Sequence, residues 1–212
     1  MNIHIKICGI NRLSDALLAE KIGASAVGFV FYHKSRRYVD PEKAGKISEK
    51  LGPFIARVGV FVDETPALVI KTVQTAQLTT VQLHCSEGPE YVRELSKEIQ
   101  VIKAFRVGKD FDINNLSKYK ENVKAFLLDT YSENGCYGGT GKTFDWKKAA
   151  GCGKYGKIIL AGGLNASNVQ QAIKIAKPWG VDVSSGIERE PGIKDPKKMR
   201  AFFAAVREVN SK

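Results

Sequence analysis

The sequence predicts an α/β fold, a closed (β/α)8 barrel, as a single compact catalytic domain over residues 1–212. Three observations carry that expectation. Short β-branched apolar runs alternate with helical patterns of about 10 to 15 residues, roughly eight times along the chain. The runs are nearly all apolar, as parallel strands covered on both faces should be. The last third, 157–195, holds two consecutive strand–glycine-turn units: Ile158–Ala161 runs into Gly162-Gly163, and Val181–Val183 runs into Ser184-Ser185-Gly186. Such turns form a cup of backbone N–H groups that suits a phosphate, and barrels of this class often build that site after strands seven and eight.

In chain order the predicted strands are Ile3–Ile7, Ala26–Phe31, Ala56–Phe61, Thr80–Leu83, Val101–Phe105, Ala125–Leu128, Lys157–Ala161 and Val181–Val183. The predicted helices lie near Arg12–Ile22, Pro41–Lys50, Pro66–Gln74, Pro89–Glu98, Asn114–Tyr119, Trp146–Ala150, Asn165–Ala176 and Pro196–Val209. Asp40-Pro41, Thr65-Pro66 and Asp195-Pro196 read as helix starts, because proline fits the first helical turn after a capping residue. The competing architecture, an open doubly wound sheet, would leave edge strands more polar than any seen here.

Composition narrows the function. The 212 residues include 43% hydrophobic side chains and carry a formal charge of +11. No run approaches the roughly 18 apolar residues of a membrane span, and the N-terminal stretch lacks a signal-peptide pattern. Lysines and arginines are spread over the predicted helices and match no nucleic-acid-binding motif, so a solvated surface explains most of the charge. Cys8, Cys85, Cys136 and Cys152 form no CxxC pair or His/Cys cluster, which argues against a structural zinc site or disulfide framework and for a reducing cytoplasm.

In such barrels the chemistry sits at the C-terminal ends of the strands. That rule selects Cys8-Gly9, His33–Arg37, Asp63-Glu64, His84-Cys85, Arg106, Asp129-Thr130, Asp182 and Ser184-Ser185. Cys8 reads as a base or nucleophile, or equally as a small buried hydrophobe. Asp129, at the end of a buried strand, reads as an acid, a base, a positioning group or the cap of a turn. Either Arg36 or Arg37 could grip a planar carboxylate, the other being a solvated charge. The glycine-rich stretch 137–142 is not a Walker motif and reads as a mobile lid, a phosphate-side loop or a plain turn.

The segments KICGI (6–10), VGFVFYHKSRRYV (27–39), RVGVFVDE (57–64), VQLH (81–84), FLLDT (126–130), GGTGKTFDW (138–146), LAGGLN (160–165) and GVDVSSGIE with PGIKD (180–195) together resemble the phosphoribosylanthranilate isomerases of tryptophan biosynthesis. The resemblance runs the length of the chain. It implies a (βα)8 barrel catalysing an Amadori rearrangement, an aldose–ketose isomerisation of N-(5-phosphoribosyl)anthranilate, with no cofactor and no metal. It places the catalytic cysteine on Cys8 and the catalytic aspartate on Asp129. The carboxylate-binding arginine falls on Arg37, and the phosphate turns on Gly162, Gly163, Ser184, Ser185 and Gly186. Asp182 and His84 fall on further substrate-binding positions. The implied partner is a small phosphosugar, with no nucleic acid and no membrane, acted on by a cytoplasmic monomer or homodimer. Cys85 departs from the pattern, since the family has glycine after VQLH, and EREPG (188–192) falls in a variable stretch with no expected consequence. The implied acid–base pair needs a carboxyl pKa pushed up and a thiol pKa pushed down.

Two other readings remain at this level. A related sugar-phosphate barrel would use paired aspartates or a lysine, for which Lys6, on the same strand side as Cys8, is the nearest candidate. A catalytically silent basic barrel would bind anions or nucleic acid with steep salt dependence.

Overall fold

Eight parallel strands form a ring with no free edge: His4–Cys8 (β1), Ala26–Val30 (β2), Ala56–Phe61 (β3), Thr80–Leu83 (β4), Gln100–Val107 (β5), Ala125–Thr130 (β6), Ile158–Leu160 (β7) and Gly180–Val183 (β8). Each pairs with its neighbour in sequence, and β8 closes on β1. The structure, a computed structural model, describes residues 2–130 and 143–210; the glycine-rich stretch 137–142 and Cys136 lie outside the described residues.

Strand periodicity sorts side chains between two cores. Outward residues such as Ile7, Phe29, Leu83, Phe126 and Leu128 join the large buried cluster under the helices. Inward residues form a smaller, separate cluster in the lumen, built mostly from short side chains such as Ala26, Ala104, Ala125 and Ala161 with Val58, Ile102, Leu127 and Ile159. A closed eight-stranded ring has room for no more than this, and the lumen is a packed core at mid-height.

The crossover helices are Leu13–Lys21 (α1), Pro41–Ser48 (α2), Pro66–Thr75 (α3), Pro89–Leu95 (α4), Lys147–Ala150 (α5), Val169–Ala176 (α6) and Pro196–Asn210 (α7). The proline starts are capped as expected. Asp40 accepts from the amides of Glu42 and Lys43, Thr65 from that of Leu68, and Asp195 from those of Lys197 and Lys198. Two helices differ from expectation. The one after β5 is a 3-10 helix, Ile113–Lys118, in a stretch whose Asn114-Asn115 pair has weak α-helical preference. The one after β7 begins at Val169, not Asn165, because Asn165 Oδ1 accepts from Ser167 N and Asn168 Oδ1 accepts from Asn165 N, a local turn that competes with the first helical turn. A hairpin that the sequence did not suggest, Glu188–Glu190 (β9) with Ile193–Lys194 (β10), lies between β8 and α7.

Candidate active site at the C-terminal mouth

At the upper end of the lumen the inward side chains turn polar. Cys8 ends β1, His84 follows β4, Asp129 sits near the end of β6 and Asp182 lies on β8. These four, with Arg37, Gly162, Gly163, Ser184 and Ser185, line one cavity of about 110 Å³. Every expected site residue is therefore gathered there except Gly186, which serves the site from behind. A side chain at Gly186 would collide with the Leu164 carbonyl and Asn165, so its glycine lets the turns after β7 and β8 pack against each other. The turn after β7 is made by Gly162 and Gly163 at φ 85° and 63°, conformations other residues adopt with difficulty.

Ring order sets the geometry of the cavity. Cys8 stands between the glycine turns of β7 and β8 on one side and the β2–α2 loop bearing Arg37 on the other. Asp129 is presented from β6, three strands from β1. Its Oδ1 accepts from the Thr130 amide at 2.8 Å, and its Oδ2 faces His84 Nε2 at 3.3 Å. On the ring's other side, Gln82 Nε2 lies 2.8 Å from His84 Nδ1. Beside Arg37 the wall is apolar, made of Val30, Val60 and Val62 with Tyr32. One cavity thus offers an anion cup, a thiol, a carboxyl and a guanidinium with an apolar flank.

The sequence profile described as N-(5'phosphoribosyl)anthranilate (PRA) isomerase matches residues 5–205. The chain belongs to that family. It is 46% identical over 209 residues to the N-(5'-phosphoribosyl)anthranilate isomerase of Pelobacter propionicus, covering 99% of this chain and 98% of that one. Among solved structures, a phosphoribosyl anthranilate isomerase in complex with reduced 1-(o-carboxyphenylamino)-1-deoxyribulose 5-phosphate superposes with a TM-score of 0.87 at 41% identity, covering 98% of this chain and all of that one. A structure of monomers generated from the dimeric enzyme of Thermotoga maritima gives the same score at 40% identity and the same coverage.

Two features of this family member were not visible in its sequence. Arg37 is not a free fork: its Nε and Nη2 donate to Glu188 Oε1 and Oε2 at 2.9 and 2.7 Å. Glu188 opens the β9–β10 hairpin, whose other end brings Lys194 Nζ to Glu188 Oε1 at 2.8 Å, to the Cys8 carbonyl at 2.6 Å and to the Ser184 carbonyl at 3.3 Å. The stretch that begins with Glu188, expected to be without consequence, therefore clamps the arginine and ties β1 to β8. The Pro191-Gly192 turn was the available signal for that hairpin. Of the two arginines, Arg36 is the exposed one.

Electrostatics also departs from expectation. Burial pushes the Cys8 thiol above its ordinary range. The Lys6 ammonium and, less strongly, that of Lys194 pull it back, and Asp182 adds to the rise. The expected thiol depression is therefore absent from the free pocket, because desolvation of a thiolate outweighs the nearby cations. Burial likewise raises the Asp182 carboxyl against the pull of Lys6. Glu188 is held below the usual carboxylate range by Arg37 and Lys194, which together outweigh its burial.

The remaining strand-end residues build the rim. Asp63 Oδ1 accepts from the Ser86 amide and hydroxyl, and Glu87 accepts from the amides of Asp63 and Cys85. Lys103, on the outer face of β5, donates to Glu87 and to the Cys85 carbonyl. Cys8 and Cys152 are free thiols, and Arg106 Nη2 lies 3.2 Å from Cys85 Sγ. Among the described residues no three His, Cys, Asp or Glu side chains converge as metal ligands would.

Proposed function

We propose that this cavity performs the Amadori rearrangement of N-(5-phospho-β-D-ribosyl)anthranilate to 1-(2-carboxyphenylamino)-1-deoxy-D-ribulose 5-phosphate in tryptophan biosynthesis, with Cys8 as general base and Asp129 as general acid. The observation that carries this assignment is the placement of both side chains in one cavity, between the paired glycine turns and Arg37. The phosphate sits in the turns of Gly162-Gly163 and Ser184-Ser185, with Gly186 supporting them. The anthranilate ring lies along Val30, Tyr32 and Val60, and its carboxylate reaches the Nη1 side of Arg37, the side left by the Glu188 pair. Asp182 and His84 flank the ribose.

The reaction needs two proton transfers. Asp129, protonated, delivers a proton to the furanose ring oxygen as the ring opens to an iminium at C1′. The iminium acidifies C2′, and the Cys8 thiolate removes that proton to leave an enolamine, which tautomerises to the ketose. No electrons are gained or lost overall. Each placed acid or base contributes about 10²–10⁴-fold. Grips on both ends of the substrate hold the ribose between them, and such positioning can contribute several kcal/mol. The test is the loss of phosphoribosylanthranilate fluorescence on adding purified protein. Absence of turnover, with salt-sensitive anion binding in its place, would favour the silent-barrel reading.

The single catalytic barrel over residues 1–212, a cytoplasmic location and a small-molecule partner without nucleic acid belong to the same reading. It is supported by the buried free thiols Cys8 and Cys152, and no described helix is long and apolar enough to cross a membrane. For assembly we favour the homodimer over the monomer. Phe54 is 99% exposed on the loop before β3, at the lower rim of the barrel. That rim surrounds a mostly apolar cavity of about 260 Å³ lined by Ala26, Ala56, Val58 and Ile102, among others. A two-fold pairing would bury each Phe54 against the partner's lower mouth. Sedimentation should show a dimer that Phe54→Glu converts to monomer; a wild-type monomer at micromolar concentration would rule the pairing out.

A further inference from the structure

A buried lysine stands at the floor of the cavity beside the Cys8 sulfur. Lys6 and Asp182 are register partners between β1 and β8, and their ion pair spans 3.0 Å with side chains 4% and 9% exposed. Lys6 contributes to the wall of the lower cavity and Asp182 to that of the upper one, so the pair is part of the partition between the two mouths. Gly28 is the β2 partner of Cys8, one layer higher. A methyl carbon placed on Gly28 would lie 3.0 Å from Cys8 Sγ and 3.1 Å from Lys6 Nζ. The ammonium therefore reaches up from its own register level towards the thiol, and both border the space beside Gly28.

Four charged groups bear on Cys8: Lys6 on β1, Asp182 on β8, Lys194 on β10 and Arg37 from the β2–α2 loop. Lys194 and Arg37 are committed to Glu188 by aligned hydrogen bonds. Lys6 differs. Neither its Nζ nor Asp182 Oδ1 has an aligned hydrogen-bond partner among the described residues. The ion pair is a charge contact that leaves the ammonium N–H groups able to turn to sulfur.

We infer that Lys6 is a positioning residue for the base: its ammonium is shared between Asp182 and Cys8 and favours the thiolate, while Asp182 holds it in place and competes with sulfur for it. The inference rests on the reading of Cys8 as base and supplies a cation committed to that sulfur. With the thiol protonated the three groups sum to zero charge. Loss of the thiol proton to solvent leaves one negative charge, which the substrate iminium then balances across the same cavity. A lysine at this point is also what a lysine-centred barrel chemistry would require, but here its place is beneath the thiol, not in the lining of the upper cavity.

The test is site-resolved alkylation of Cys8 by iodoacetamide across pH, read by peptide mass spectrometry, with kcat and KM measured on the same protein. In Lys6→Met the alkylation profile should move to higher pH by at least one unit, so that near neutral pH both alkylation and kcat fall about tenfold or more while KM stays within about twofold. Lys6→Arg, which keeps a cation, should recover part of both. Asp182→Asn should move the alkylation profile the opposite way, to lower pH. Lys6→Met with Asp182→Asn removes both charges and leaves neither unpaired, so it reports even if the single lysine variant does not fold; its profile should also lie above that of the wild type. An unmoved Cys8 profile in Lys6→Met, or in the double variant, overturns the inference. Normal turnover of Cys8→Ala together with a shifted Lys6→Met profile would remove the base assignment and leave the Lys6–Cys8 coupling standing.

Discussion

The two mouths of this barrel are built from the same eight strands and share almost no chemistry. The lower cavity, about 260 Å³, is walled by Ala26, Ala56, Val58, Ile102, Ala125 and Ile159. Its rim is set by the stacked His4–Trp179 pair, with Lys157 over the indole at 4.9 Å. The upper cavity, about 110 Å³, carries Cys8, Arg37, Gln82, His84, Asp129 and Asp182. The smaller space holds the proposed reactive groups. Volume is a useful first guide to a binding site, but convergent polar groups decide it, and in a parallel barrel they gather where strands run into loops. The lower mouth is open because small side chains at the strand starts leave it unfilled.

The contrast predicts a ranked set of effects. The largest belong to Cys8→Ala and Asp129→Asn, each expected to lower kcat by about 10²–10⁴-fold with an unchanged melting temperature. Near-normal turnover in either variant would make the two mouths equivalent. Next comes Arg37→Ala, which removes a charged hydrogen bond worth about 1.5–3 kcal/mol and should raise KM about tenfold to a hundredfold with a smaller effect on kcat. An unchanged KM would refute the carboxylate grip.

The pH dependence follows in size. In the proposed mechanism the thiolate is the active form, and burial holds the Cys8 thiol above its ordinary range. On that limb kcat/KM should rise with pH through neutrality, falling about tenfold for each unit below the thiol pKa. A flat profile from neutral to alkaline pH would contradict the base assignment.

Glu188→Gln should act more mildly on activity, loosening Arg37 and raising KM severalfold, with a clear effect on stability. The Glu188 carboxyl is depressed in the folded state, so its pairing stabilises the fold above the ordinary glutamate pKa and is lost as pH falls through the depressed value. The variant should therefore lose stability near neutral pH and show a shallower acid-unfolding slope. The smallest effect on catalysis belongs to the lower mouth. Ala125→Val, which adds bulk facing that cavity, should leave kcat within about twofold while changing stability by about 1 kcal/mol either way. A large activity loss there would mean that the two cavities communicate.

Much of this arrangement was legible in the residues. Cys8, His84, Asp129 and Asp182 could be placed because strand ends were visible and the barrel rule orients them. The Gly162-Gly163 and Ser184-Ser185-Gly186 turns were visible as punctuation after apolar runs. Glu188 was not, because a charged residue two places past a turn reads as surface until the β9–β10 hairpin folds it back onto Arg37. Gln82 looked like an ordinary strand residue, and only its 2.8 Å contact to His84 Nδ1 shows that it orients the ring. The late start of α6 came from the side chains of Asn165 and Asn168, whose turn bonds compete with helix over a few residues.

Alone, the order of residues determined the period of each segment, the proline and glycine punctuation, the closed alternating architecture and the catalytic candidates, because backbone preference and apolar spacing act over a few neighbours. The tertiary structure decided the ionisation and partners of those candidates: the raised Cys8 thiol, the Arg37–Glu188 fork, the Lys6–Asp182 pair beneath the sulfur. Those depend on desolvation and charge summed over groups more than a hundred positions apart, and no local pattern in the chain records that sum.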